Sequence, residues 1–131
     1  MSYKYFKISE YTKNREIEHP MTEEQEENMH KLLAVIDELR ERYGKPLKIS
    51  SGYRPEAVNK AVGGAKKSNH VMCLAVDFVD DPKTRPFTKW CVTNLPILEE
   101  LGLYMEDPRH TPNWVHLQLV APRSGKRIFI P

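Results

Sequence analysis

The chain contains 131 residues, with a formal net charge of +2 and 40% hydrophobic residues. A charge this small gives no electrostatic reason to expect nucleic acid or a membrane surface as a partner. No apolar run approaches the roughly 20 residues that a membrane-spanning helix requires. The composition therefore favours one soluble domain over residues 1–131, which we expect to be a monomer.

The first residues and the cysteines indicate where the protein is made. The N-terminal sequence MSYKYFKI lacks the apolar segment of a secretory signal peptide. The two cysteines, Cys73 and Cys91, do not have the spacing of a disulfide framework, so we expect reduced thiols. These features predict synthesis in a cytoplasm, and a substrate outside it would require a separate means of delivery.

The longest predicted element is a helix that begins after Thr22 and ends near Tyr43. Thr22 and Gln25 have the spacing of a capping box, in which each side chain pairs with the other residue's backbone N–H. Gly44 and Pro46 end the helical pattern. Apolar residues at three- and four-residue steps predict one buried face, made of Met29, Leu32, Leu33, Ile36, Leu39 and Tyr43.

Shorter elements surround this helix. We expect residues 1–21 to form an arm that only packs against the core. Apolar runs predict strands at 47–50, 74–79, 103–106 and 114–120, the last two as an antiparallel hairpin. Proline and threonine mark the starts of further helices, at Pro55, Thr84 and Pro96. The tail carries an apolar cluster at 128–130. This order indicates an α+β fold with a small antiparallel sheet flanked by helices.

Asp77 is the residue of the predicted strands that most needs an explanation. It lies in the apolar run from Leu74 to Val79, where an ionised carboxylate is costly unless it is paired or bound to a cation. His70 lies in the loop before this strand, and His116 lies mid-strand in the segment WVHLQ. Two histidines and a carboxylate, with a fourth position open to water, form the pattern of a catalytic zinc site. The alternative is a structural pair between Asp77 and Arg54 without any metal.

Three motifs follow one another along the chain. They are SGYR at 51–54, SNH at 68–70 with AVD at 75–77, and WVH at 114–116. Their order resembles the pattern S-G-Y-R, S-x-H-x-x-G-x-A-x-D and W-x-H of the zinc D-Ala-D-Ala carboxypeptidases and their relatives, the hedgehog-like peptidase superfamily. The first residues and the segment NKAVGGA are similar to its short, single-domain, often phage-encoded branch.

The resemblance implies a zinc peptidase that hydrolyses a peptide bond in peptidoglycan stem peptides, as a D-Ala-D-Ala carboxypeptidase or an endopeptidase. His70, Asp77 and His116 correspond to the family's zinc ligands. Arg54 corresponds to the arginine that stabilises the developing oxyanion and orients the substrate, and Ser68 to a substrate-contacting serine. Such an enzyme, made without a signal peptide, would act on the cell wall after phage-mediated release or serve in cytoplasmic recycling.

One departure from the family pattern is Cys73, which stands where the family usually has glycine. The spacing of His70 and Cys73 is one that metal ligands adopt. Cys73 could therefore bind the metal in place of Asp77, or it could pack as a small apolar residue. We favour packing.

A second departure concerns the general base. Relatives have a glutamate shortly before the histidine of W-x-H, whereas this chain has Asn113. The nearest glutamate is Glu106, which a hairpin would bring beside His116, because cross-strand neighbours lie about 5 Å apart. We expect Glu106 to be the base, with His110 and Asp107 as alternatives. The departure also leaves open an inactive zinc-binding interaction module or virion component of the same fold.

Overall fold

A computed structural model describes residues 2–63 and 68–131 of the chain. The helices are α1 (Ile8–Thr12), α2 (Glu23–Tyr43), α3 (Glu56–Ala61), α4 (Pro86–Thr93) and α5 (Leu95–Leu101), with a 3₁₀ turn at Arg15–Ile17. The strands are β1 (Ile49–Ser51), β2 (Ala75–Val79), β3 (Tyr104–Glu106), β4 (Trp114–Gln118) and β5 (Ile128–Phe129). Among these described residues, no helix combines the length and apolarity that crossing a membrane demands.

The strands form one sheet in the order β1-β2-β4-β3-β5. The neighbours β1–β2, β2–β4 and β4–β3 are antiparallel, and they confirm the predicted α+β fold and its hairpin. The pair β3–β5 is parallel and was not predicted. The segment that forms β5 is only two residues long, which is too short for an alternating pattern to show in the sequence.

Helix α2 has the predicted ends and the predicted buried face. Thr22 Oγ1 accepts a hydrogen bond from Gln25 N at 3.1 Å, and Gln25 Oε1 accepts one from Thr22 N at 2.8 Å. Gly44 ends the helix with a positive φ of 76°. Its apolar stripe lies in the same core cluster as the inward side chains of the sheet, Val76, Phe78, Val115 and Leu117. The helix therefore covers one face of the central strands.

The start of α4 differs from the prediction that Thr84 caps it. Arg85 occupies the N-cap position with φ 48°, and its side chain makes no cap hydrogen bond. Asp80, which is buried just after β2, accepts hydrogen bonds from the backbone N–H groups of Phe87 and Thr88 at 3.2 and 2.8 Å. A carboxylate from an adjacent element thus satisfies the first N–H groups of the helix, and a local capping pattern in the sequence does not reveal it.

The N-terminal arm packs on the core as expected, and it also ties two parts of the sheet together. The buried Tyr11 hydroxyl donates to the carbonyl of Ala75 in β2 at 2.8 Å. The carbonyl of Tyr11 accepts from Tyr53 N, just beyond β1, at 3.0 Å. Gly52 lies so close to Tyr11 that a Cβ there would stand 2.2 Å from the Tyr11 carbonyl oxygen. Only glycine permits this approach.

We predict that Gly52→Ala destabilises the protein by about 3 kcal/mol, because the added methyl group overlaps rigid backbone. Gly44→Ala is the matched control: its Cβ would meet no atom within 4 Å, so only the positive φ is unfavourable, at a cost of about 1 kcal/mol. Urea unfolding of both variants measures the difference. Equal destabilisation would show that the contact between Gly52 and Tyr11 is not tight.

Candidate metal centre

The three predicted metal ligands lie together at the centre of the sheet. Asp77 and His116 are direct partners in the register of β2 and β4, and His70 lies in the turn before β2. Asp77 Oδ1 is 2.8 Å from His116 Nδ1, and Asp77 Oδ2 is 3.3 Å from His70 Nε2. One ligand atom from each of the three residues lies within 4.8 Å of the other two. This spacing suits a single metal ion.

The other ring nitrogen of His70 is held by the backbone. His70 Nδ1 lies 3.0 Å from the carbonyl oxygen of Gly52. A carbonyl oxygen only accepts, so Nδ1 carries the proton in this hydrogen bond. In the neutral imidazole, the lone pair is therefore on Nε2, which faces Asp77.

The ring of His116 is oriented in the same way by Gln118. His116 Nε2 lies 2.8 Å from Gln118 Oε1, and Gln118 Nε2 donates to the carbonyl of Val120 at 2.7 Å. Because the Val120 carbonyl fixes which end of the amide is the donor, Gln118 Oε1 accepts from His116 Nε2–H. The lone pair of neutral His116 is then on Nδ1, again facing Asp77.

With both imidazoles neutral, the centre collects two lone pairs and a carboxylate around one point, an arrangement that either a proton on an imidazole or a bound metal ion stabilises. Burial raises the pKa of the Asp77 carboxyl, but hydrogen bonds to His116 and His70 outweigh burial and hold it below its usual value. Burial lowers the pKa of His116, but the hydrogen bond to Asp77 outweighs it and leaves the pKa raised. Two nitrogens and one carboxylate oxygen are a typical donor set for zinc. The residues thus fit a divalent metal ion.

The triad opens into a pocket with a volume of about 410 Å³, which Arg54 and Ser68 also line. Arg54 donates from Nη1 to Asn59 Oδ1 and from Nη2 to Ser51 Oγ, both at 3.1 Å. Its Nη2 lies 3.9 Å from Asp77 Oδ2, which exceeds hydrogen-bond range. Arg54 and Asp77 therefore form a long ion pair without a hydrogen bond.

Ser68 lies beside the turn that carries His70. Its Oγ accepts a hydrogen bond from the backbone N–H of His70 at 3.2 Å, as a loop cap would. It also lines the pocket. The side chain therefore shapes the turn that carries His70 while remaining close to the pocket space.

The three candidate bases differ in where their side chains lie. Glu106 lines the pocket, and burial raises the pKa of its carboxyl despite an opposing contribution from His116. Asp107 instead binds Arg109 at 2.7 Å, and hydrogen bonds from Arg109 lower its pKa to about 2. His110 is exposed and does not line this pocket. Of the three, Glu106 is the one whose side chain lines the pocket beside the triad.

Cys73 is fully buried and lies apart from the converging ligand atoms. Its sulfur is 3.7 Å from the sulfur of Met21. Its φ of 61° is in the left-handed region, where glycine is the residue with the lowest strain. This conformation gives a physical reason for the glycine that relatives have here, and the described geometry agrees with packing.

Sequence reasoning missed the residues that support the triad. Gln118 could have been found, since it lies two residues after His116 on the same face of β4. Asn59 accepts a hydrogen bond from Arg54 and lies on α3. No motif or alternating pattern in the sequence marks it as part of the site. Phe129 and Pro131 also line the pocket. They come after residues 119–127, which contain no strand. Their place depends on the parallel pairing of β5, which the sequence pattern does not predict.

Comparisons with known proteins agree with this geometry. The family model for peptidase M15 matches residues 4–118, so the chain belongs to the peptidase M15 family. Among solved structures, the chain is similar to the L-Ala D-Glu endopeptidase ChiX of Serratia marcescens, with a TM-score of 0.50 and 22% identity. The match covers 81% of this chain and 93% of that one, and it supports the fold. Comparison with curated proteins gave no match.

We predict that Gln118→Leu weakens zinc binding about 10- to 100-fold, because His116 loses the partner that keeps the lone pair on Nδ1. Gln118→Glu is the control, since a carboxylate oxygen still accepts from Nε2–H, and we expect near wild-type affinity. Competition with a chromophoric chelator measures the affinities, and nitrogen chemical shifts of His116 report the tautomer. Equal affinity in the leucine variant and the wild type would contradict the assignment.

We predict that both cysteines resist thiol reagents in the native protein at pH 8. Burial raises the pKa of the Cys73 thiol to about 12 and also raises that of Cys91. A raised pKa keeps the thiol protonated, and the thiolate is the reactive form. Labelling should therefore be at least about 100-fold slower than in urea. If the Cys73 thiol were labelled rapidly and zinc suppressed that labelling, Cys73 would instead be a metal ligand.

Proposed function

We propose that this protein is a zinc-dependent peptidase that hydrolyses a peptide bond in the stem peptides of bacterial peptidoglycan. The observation that carries the proposal is the convergence of His70, Asp77 and His116 in a pocket that Glu106 also lines. Membership of the peptidase M15 family, which is generally zinc-dependent, supports the reaction class. The similar fold of an L-Ala D-Glu endopeptidase supports a cell-wall peptide as substrate.

His70 Nε2, a carboxylate oxygen of Asp77 and His116 Nδ1 are the atoms that would hold the zinc ion. Bound zinc supplies a coordinated water with a pKa lowered to about 7 and polarises the scissile carbonyl. The Gly52 carbonyl and Gln118 keep both imidazoles in the tautomer that presents a lone pair. They thereby reduce the reorganisation needed when the ion binds.

Glu106 acts as the general base and then as the general acid. Its carboxylate takes a proton from the attacking water and returns that proton to the leaving amine nitrogen. Burial raises its pKa, which makes the carboxylate a stronger base and brings its pKa closer to the operating pH. Such a group contributes about 10²- to 10⁴-fold to the rate.

Arg54 stabilises the negative charge that develops on the carbonyl oxygen of the scissile bond. Asn59 and Ser51 hold its guanidinium beside the triad, so the positive charge is in place before the reaction begins. Such preorganised donors are effective because they need not reorient in the transition state. Ser68, which also lines the pocket, contacts the substrate.

The proposal is tested with purified peptidoglycan, zinc-loaded protein and a metal chelator. We expect hydrolysis that the chelator abolishes and added zinc restores. Glu106→Gln should lower kcat about 10²- to 10⁴-fold without loss of zinc, because only the proton-transfer group changes. Asp107→Asn is the matched control and should retain activity, since Asp107 binds Arg109.

The products identify the bond. Free D-alanine indicates a carboxypeptidase, and new amino groups within opened stem peptides indicate an endopeptidase. Full zinc occupancy with no chelator-sensitive hydrolysis of any peptidoglycan would reject the enzyme and favour the inactive binding module. Unchanged activity in Glu106→Gln would reject Glu106 as the base.

A further inference from the structure

The turn from Asn69 to Leu74, which we call the ligand turn, carries His70 and leads into β2. Leu74 N donates to the Asn69 carbonyl at 2.8 Å, which closes the turn on itself. Cys73 N donates to the His70 carbonyl at 3.3 Å, and Arg54 N donates to the same oxygen at 3.2 Å. The backbone of the ligand turn therefore determines where the His70 side chain points.

The two residues that follow His70 are bonded to helix α2. Gln25 Nε2 donates to the Val71 carbonyl at 2.8 Å. Asn28 Nδ2 donates to the Met72 carbonyl at 3.0 Å. Gln25 and Asn28 are three residues apart, which places both amides on the same face of the helix. The first two turns of α2 thus hold two consecutive carbonyls of the ligand turn.

The same end of α2 also contacts the next residue of the ligand turn. Cys73 Sγ lies 3.7 Å from the sulfur of Met21, which comes directly before the N-cap residue Thr22. Cys73 has a φ of 61°, a left-handed conformation that is unfavourable for most residues other than glycine. Such a conformation persists only where the surrounding contacts impose it. The contacts with α2 therefore hold a strained turn in one conformation.

The amide of Gln25 is required by the ligand turn and not by the cap of α2. Its Oε1 accepts from Thr22 N at 2.8 Å, so the end that faces the Val71 carbonyl is the donor. A capping box accepts either glutamate or glutamine at this position, but an ionised glutamate could not donate to a carbonyl. Gln25 is half-buried, whereas the acidic residues around it are exposed, namely Glu23, Glu24, Glu26 and Glu27.

We infer that Gln25 and Asn28 are positioning residues for the metal centre, which hold the ligand turn and thereby the direction of His70 Nε2. Neither side chain lines the pocket, and both act through the backbone of Val71 and Met72. The inference rests on the proposed zinc site. It assigns a role in metal binding to the start of α2, a part of the chain that contributes no ligand.

The test exchanges each amide for the carboxylate of the same shape. Gln25→Glu keeps the acceptor for Thr22 N, and Asn28→Asp keeps the size of the side chain, but neither ionised carboxylate can donate to a carbonyl. In chelator competition at pH 8, we expect the double variant to bind zinc about 10-fold or more weakly, the usual effect of losing a group that orients a ligand. The added negative charges alone would strengthen the binding of a cation, so a weaker affinity cannot come from them.

Thr22→Ala is the matched control for the stability of α2. It removes the Oγ1 that caps the helix but keeps the backbone N–H that orients Gln25. It should lower the urea midpoint and leave the zinc affinity within about twofold of wild type. Gln25→Glu should do the reverse, because it keeps the cap and loses the bond to Val71. An equal loss of zinc affinity in Thr22→Ala and Gln25→Glu would overturn the inference, since helix stability would then explain both.

Hydrogen exchange in the metal-free protein gives a readout that needs neither zinc nor turnover. The N–H groups of Cys73 and Leu74 close the ligand turn, so both should exchange faster in the double variant than in wild type or Thr22→Ala. Equal zinc affinity of the double variant and wild type rejects the inference alone. If the wild type binds no zinc, the proposed function is rejected, and unchanged exchange in the double variant would also reject the hold of α2 on the turn.

Discussion

The pairing of Asp77 with His116 across β2 and β4 is the constraint on which the site depends. The side of the central sheet that α2 covers buries Val76, Val115 and the other inward side chains. The opposite side leaves a carboxylate and an imidazole directly beside each other. A buried carboxylate is unfavourable without a counter-charge, so a proton on an imidazole or a bound metal ion would stabilise this pair.

The support for this pairing comes mostly from neutral groups rather than from further charges. The Gly52 carbonyl and the Gln118 amide orient the imidazoles, while Tyr11 connects the segment after β1 to β2. Neutral partners define the geometry of the rings without competing for the cation. The N-terminal arm is consequently linked to the ligands through Gly52, although it contributes no atom to the triad.

The sequence predicts those features that repeat locally or that carry chemistry in short motifs. Helix α2 follows from its capping box and apolar stripe, and the ligand set follows from motif order around Asp77. The cap of α4 could not be predicted, because Asp80 reaches it from another element. The predicted hairpin favoured Glu106 over His110 and Asp107 as the general base. The sequence does not show that the Glu106 side chain lines the pocket whereas the Asp107 side chain pairs with Arg109. Strand β5 escaped prediction because its pairing is both short and distant along the chain.

The way in which β5 is attached has a consequence for diversification. Backbone hydrogen bonds join it to β3, and the Arg127 side chain just before it donates to the Leu103 carbonyl at 2.9 Å. Neither bond uses the side chain of residue 129 or 131, so the residue types there can change while the strand stays in register. The metal ligands lie on β2, on β4 and in the turn before β2. The metal-ligand group and the C-terminal residues that line the pocket are thus encoded in separate stretches of the chain. Exchanging the last few residues therefore offers a route to a reshaped pocket that leaves the ligand triad intact.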